Sequence, residues 1–167
     1  MTDMLVDNGI DRRVPKSIVS LIGDDFPENK KYLLVQALTR KSYAKEQNDK
    51  GNKCEHQDVL STLGDGILRA VLTEMLIDLG FLTKGKLSKA RSELEKNEKL
   101  AAIARKKKIK PIFLSQTERD HWDEAEEKIL SSTLEALIGA IYLAAGFKKT
   151  KEIIGEWFRE DLPTESY

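Results

Sequence analysis

The sequence predicts an all-α fold, and three observations carry that expectation. Apolar residues recur at three- and four-residue spacing in several stretches, runs of alternating polarity are few, and all four prolines fall near expected helix boundaries. With 167 residues and 40% hydrophobic content, the chain can bury one core and is short for two domains. The expected organisation is an irregular lead-in over 1–14, a single helical domain over 15–162 and a short tail over 163–167.

Pro15 can open a short helix through Ile18, Val19 and Ile22, which Gly23 stops. Pro27 and Glu28 suggest the next start, with Tyr32, Leu33, Leu34, Val35 and Leu38 as apolar contacts before Thr39. Residues 48–55 are polar apart from Cys54 and contain Gly51, so they read as a surface loop. A long helix is expected over about 56–79, closing at Gly80. After a turn at 81–85, one helix is expected over 87–106, with Leu87, Ala90, Leu94, Leu100, Ile103 and Ala104 facing inward. Pro111 follows it, and Ile112, Phe113 and Leu114 would plug a short connection into the core. Residues 122–145 can be helical up to Gly146, and a final amphipathic helix uses Ile153, Ile154, Trp157 and Phe158.

Two stretches stand apart from this pattern. In 58–72, Leu60, Leu63, Ile67, Leu68, Val71 and Leu72 make an apolar stripe, while Ser61 and Asp65 stand four apart on an adjoining face. Gly64 and Gly66 interrupt it, each weakening a helix by about 1 kcal/mol relative to alanine, which suggests another backbone passing close by. In 131–143, Leu134, Leu137, Ile138 and Ile141 make the stripe, Ala136, Gly139 and Ala140 offer small surfaces, and Glu135 is the only charge. One acid on each of two glycine-bearing helices could meet across a crossing.

At these residues the sequence resembles the ribonuclease III family, whose first motif ends in Leu-Gly-Asp and whose last runs into Glu-Ala-hydrophobic-hydrophobic-Gly-Ala. Further matches are Leu38-Thr39-Arg40-Lys41-Ser42-Tyr43, with arginine where histidine is usual, and the segments 85–91 and 97–104, in the family's order and spacing. The resemblance covers roughly residues 30–155. It implies a ribonuclease III-like helical endonuclease domain that hydrolyses phosphodiesters in double-stranded or structured RNA during RNA processing. Asp65 and Glu135 are the implied metal ligands and catalytic acids, with Mg2+ as cofactor and Mn2+ as an alternative.

The chain departs from the family at two acids. The Glu usual four residues before Asp65 is Ser61, and the Asp usual three before Glu135 is Ser132. Asp58 stands where a further Glu is usual and keeps the charge on a shorter arm. Losing two carboxylates weakens metal binding while leaving hydroxyl oxygens, so Asp58, Ser61 and Ser132 join the candidate catalytic set. The same departures open an alternative, a catalytically impaired RNA-binding or scaffold and dimerisation module. A third reading is a helical protein adaptor with no RNA role.

Charge balances at 28 Lys+Arg against 28 Asp+Glu, yet 84–110 holds eleven Lys/Arg against three Glu. Such a local excess can serve a polyanionic partner, and Lys84, Lys86, Lys89, Arg91, Lys106, Lys107 and Lys108 are candidate contacts to RNA phosphates. By contrast, 118–127 holds six acids and one arginine, and His121 there reads as part of a solvated acidic loop. With no Gly-x-Ser-x-Gly turn and no histidine in a recognised arrangement, a serine hydrolase is disfavoured.

Cys54 is alone, which excludes an intramolecular disulfide and a cysteine-rich zinc site. The first residues lack the basic start and apolar centre of an export signal, and 136–145 is about half the ~20 apolar residues that span a membrane. A cytoplasmic protein with no membrane association is the expectation. No double-stranded-RNA-binding module is expected after Tyr167, so affinity would come from this domain, from an RNA-binding partner protein or from pairing two copies. The resemblance implies a homodimer with the 58–72 helices at or near its two-fold axis.

Overall fold

The structure, a computed structural model, describes residues 13–164. Most of the lead-in and of the tail expected from the sequence lie outside the described residues. Helices follow one another in chain order: α1 Lys16–Ile22, a 3-10 turn Glu28–Lys30, α2 Tyr32–Ala37, α3 Lys41–Asp49 and α4 Asp58–Asp78. Then come α5 Lys84–Leu94, α6 Asn97–Lys106, α7 Gln116–Asp120 and α8 Trp122–Phe158. Among the described residues the only β pairing is an isolated bridge between Thr39 and Phe113. The expected all-α class holds.

Local chemistry sets most of the boundaries. Pro15 precedes α1, and Gly23 ends it at φ 91°. Gly80 turns the chain after α4 at φ 90°. Thr83 and Ser115 cap α5 and α7 by accepting from the backbone N–H of Lys86 and Glu118. Gly146 (φ 81°, ψ 177°) is non-helical and breaks α8 into the two helices the sequence predicts, the second starting directly after it.

Three expectations need correction. The helix expected over 87–106 is two, because Lys96 adopts an extended conformation (φ −60°, ψ 138°) between α5 and α6. At ~100° per residue, Leu94 would lie roughly 120° from Leu100 and about 180° from Ile103 around a single helix, so one straight rod would put them on different faces. The break lets all of them be buried. Helices α3 and α7 carry too few apolar residues to have been read from periodicity. Arg40 Nε donates to Glu118 Oε1 at 2.9 Å, and Ser42 donates to the same carboxylate, joining the start of α3 to α7. Finally, α8 is long and apolar enough by composition to cross a membrane, although 61% of its apolar window is buried inside the protein. Its apolar face is spent on the core, where Leu134, Leu137, Ile138, Ile141, Ile154 and Phe158 are all buried.

The centre of the fold is the crossing of α4 and α8. A Cβ placed on Gly64 would lie 1.7 Å from the carbonyl oxygen of Glu135, and one on Gly139 would lie 2.1 Å from that of Leu60. The two glycines therefore bring the backbones into direct contact, with 60 facing 139 and 64 facing 135, an antiparallel approach. Leu68, Val71, Leu72 and Leu76 on α4 and Leu130, Leu134, Leu137 and Ile141 on α8 extend the contact into one apolar cluster. Gly66 behaves differently: it is exposed and nothing lies within 4 Å of the position its Cβ would take. Within the protomer, only Gly64 answers the expectation of a passing backbone.

These surroundings predict opposite signs for two neighbouring substitutions. Gly64→Ala forces Cβ into a carbonyl that cannot move aside, and is expected to cost about 3 kcal/mol or more. Gly66→Ala meets open space within the chain and is expected to stabilise the monomer, at concentrations where no pairing occurs, by roughly 0.5–1 kcal/mol through helix propensity. Urea unfolding of the two variants checks both signs.

Candidate functional site

The α4–α8 crossing places the candidate acids. Glu135 lies at the contact with Gly64, and Ser61, three residues before Gly64, donates its hydroxyl to Glu135 Oε2 at 3.0 Å. This is the only hydrogen bond to the Glu135 side chain among the described residues. Burial is the main cause that holds the Glu135 carboxyl above its ordinary value of 4.5. The Ser61 hydrogen bond opposes the shift, the negative charges of Asp65 and Glu95 add to it, and Arg69 counters weakly. Asp65, one turn beyond Ser61, is 43% exposed and faces solvent at the rim.

Asp65 is not alone there. Arg69, one turn further along α4, brings one guanidinium nitrogen to 3.4 Å from both Asp65 oxygens. The same guanidinium donates through Nε to Glu95 Oε1 at 3.3 Å. Glu95 follows the last residue of α5 and has Arg91 Nε 3.5 Å from its other oxygen, an ion pair in which that buried nitrogen makes no hydrogen bond. Arg91 in turn donates to Thr73 Oγ1 on α4 at 3.3 Å. Sequence reasoning missed Arg69 and Glu95. The four-residue spacings Asp65–Arg69 and Arg91–Glu95 were legible as helical pairs, but the link between them depends on how α5 packs on α4.

The other candidates are distributed more widely. Ser132 donates its hydroxyl to the carbonyl of Lys128 at 2.7 Å, a bond within its own helix. Asp58 lies in the first turn of α4, where negative charge suits the helix dipole, and is paired with Lys41 at 3.3 Å and near His56 Nδ1 at 3.6 Å. Of the cations, Arg91 is engaged by Glu95 and Lys106 by Glu160. Lys84, Lys86 and Lys89 are exposed on the opening turns of α5, and Lys108 is exposed just past α6. Lys107 is half-buried at the end of α6. Their exposure at one end of α5 and past α6 makes these lysines the accessible candidates for a polyanion.

Two carboxylates and a hydroxyl on facing helices fit a hard divalent cation, which accepts oxygen ligands and can be held by one or two carboxylates with waters completing its shell. A half-buried carboxylate with no counter-charge in contact points the same way, since such a charge is costly unless paired. Among the described residues, however, no three His, Cys, Asp or Glu side chains converge as a ready-made cage.

Known proteins share this architecture. A family profile described as Ribonuclease-III-like matches residues 30–162. Ribonuclease 3 of Natranaerobius thermophilus is 36% identical over 132 residues, 78% of this chain and 56% of that protein. Ribonuclease 3 of Nitratiruptor sp. is 37% identical over 144 residues, 85% of this chain and 59% of that protein. The chain spans about half the length of the curated relatives it matches. A structure of the nuclease domain of ribonuclease III from Campylobacter jejuni, concerned with flexibility in a region involved in dimer formation, aligns with a TM-score of 0.73. It is 31% identical and covers 89% of this chain and 98% of its own.

The Glu135 environment predicts a pH dependence with a definite sign. A carboxyl whose native value is raised binds its proton more readily folded than unfolded, so the cost of its burial is present at neutral pH and relieved as pH falls through the native value to below 4.5. Glu135→Gln is therefore expected to be more stable than the parent at pH 7, with the difference shrinking as pH falls towards 4.5 and lost below it. Urea titrations at several pH values measure it.

Proposed function

The chain belongs to the ribonuclease III family, and from that premise we propose that it is a divalent-metal-dependent endonuclease of double-stranded or structured RNA, acting in RNA processing. The observation that carries this reading is the crossing itself. Glu135, half-buried and without a cationic partner, is held by Ser61 across the same helix contact that presents Asp65 to solvent. Asp65 and Glu135 would hold Mg2+ or Mn2+, which supplies Lewis-acid charge neutralisation for phosphodiester hydrolysis. Ser61 fixes one oxygen of the Glu135 carboxylate, taking a place where the resemblance leads one to expect a further acid. Lys84, Lys86, Lys89, Lys107 and Lys108 offer salt-sensitive contacts to RNA phosphates, reading duplex shape rather than sequence.

A homodimer accompanies this reading. Val59, Gly66, Ala70 and Ile77 share one outward face of α4 at helical spacing, and all four are exposed, Val59 at 72% and Ile77 at 45%. An isologous pairing of that face would give Gly66, open within the protomer, the close backbone neighbour its position in the apolar stripe suggests.

A second reading, an RNA-gripping or scaffold module that does not cut, is favoured by one observation: Asp65 already has a cation, Arg69, in contact. Cleavage of long duplex RNA separates the two. The nuclease reading expects cleavage with Mg2+ or Mn2+ that falls by at least about 10²-fold in Asp65→Asn and in Glu135→Gln, a loss typical of removing one charged group acting on the transition state. RNA retarded by the protein but never cut, with either metal, would favour the module. Sedimentation of Gly66→Glu tests the pairing, which expects a dimeric parent and a monomeric variant.

A further inference from the structure

The cation beside Asp65 belongs to the chain, and its anchoring is asymmetric. Arg69 reaches both Asp65 oxygens only at 3.4 Å. Its other edge is tied to Glu95 at 3.3 Å. Glu95 is 18% exposed and lies 3.5 Å from Arg91 Nε, an ion pair without a hydrogen bond, whereas Asp65 is 43% and Arg69 52% exposed. The two contacts to Arg69 are similar in length, and burial makes Glu95 the more constrained of the two acids. A divalent ion at Asp65 needs the same carboxylate oxygens and repels the guanidinium.

We infer that Arg69 is a positioning residue that competes with the divalent ion for Asp65, and that Glu95 is the anchor that draws its guanidinium aside when the ion arrives. This rests on reading Asp65 as a metal ligand. Glu95 then acts through Arg69 and not as a ligand itself. With serine at 61 and 132 the site draws its negative charge from few carboxylates, and the Arg69–Glu95 pair sets how much of the Asp65 charge is available.

The test is Mn2+ binding to the full chain, measured by calorimetry and by the paramagnetic resonance of free Mn2+, so that the readout does not depend on cleavage. Arg69→Gln is expected to bind Mn2+ about three- to tenfold more tightly than the parent, a modest factor because the pair is partly exposed. Arg69→Lys, which keeps the charge and loses the fork, should fall between them. Glu95→Gln leaves Arg69 with Asp65 and should bind more weakly. The double variant should regain the affinity of Arg69→Gln, because the anchor has nothing left to hold. Asp65→Asn should remove the gain.

Unchanged, weaker or absent Mn2+ binding in Arg69→Gln would overturn the inference. So would a double variant as weak as Glu95→Gln, which would make Glu95 a direct ligand. A tighter Arg69→Gln that never cuts RNA supports the competition and overturns the nuclease reading. Metal-dependent cleavage with Mn2+ affinity indifferent to residue 69 does the reverse.

Discussion

Everything at the candidate site depends on two helices touching without side chains between them. Gly64 and Gly139 remove the atoms that would hold α4 and α8 apart, and each faces a carbonyl oxygen of the other helix. Backbone contact of this kind is costly in helix propensity, roughly 1 kcal/mol per glycine. The cost is offset by the apolar cluster that closes around the crossing, from Leu68 and Leu72 on one side to Leu134 and Ile138 on the other. Because the approach is antiparallel and in register, Ser61 falls opposite Glu135 at hydrogen-bonding distance, and Asp65 falls one turn outward, at the edge of the water.

The same contact explains the uneven electrostatics of the two acids. Glu135 is pressed against the neighbouring helix and burial raises its proton affinity, while one hydroxyl bonds to it and Arg69 supports its charge only weakly from further away. Asp65, with more solvent, has a guanidinium within reach. One acid therefore lacks a cation and the other shares one with Glu95. This division leaves Glu135 without a cation in contact and Asp65 with one, which is the ground on which the Arg69–Glu95 pair is proposed to tune metal affinity.

Much of this was legible in the sequence, and the unread part has physical reasons. The α4 and α8 stripes, the Gly80 and Gly146 breaks and the final amphipathic helix follow from 3.6-residue periodicity and from glycine's freedom at positive φ. Gly64 could be read as a close approach, but Gly66 beside it could not be told apart, because spacing alone does not say which face a neighbour occupies. The α5–α6 break was written in the phase slip between Leu94 and Leu100, a signal lost when inward residues are counted without their angle. Short polar helices such as α7 are fixed by partners far along the chain, here Arg40 and Ser42 meeting Glu118, and no local pattern announces them. The Asp65–Arg69–Glu95 linkage was hidden for the same reason: each half is an ordinary helical pair, and only tertiary packing joins them. Ser132, expected beside the acids, satisfies its hydroxyl within its own helix instead.

The central claim is that a divalent ion settles between the carboxylates that the glycine crossing brings to one place. Anomalous diffraction from crystals grown with Mn2+ locates such an ion without reference to activity. The expected result is a peak in contact with Asp65 and Glu135, with the Arg69 guanidinium turned toward Glu95. A peak confined to other acids, or none at the crossing while Arg69 remains on Asp65 at saturating Mn2+, would contradict it.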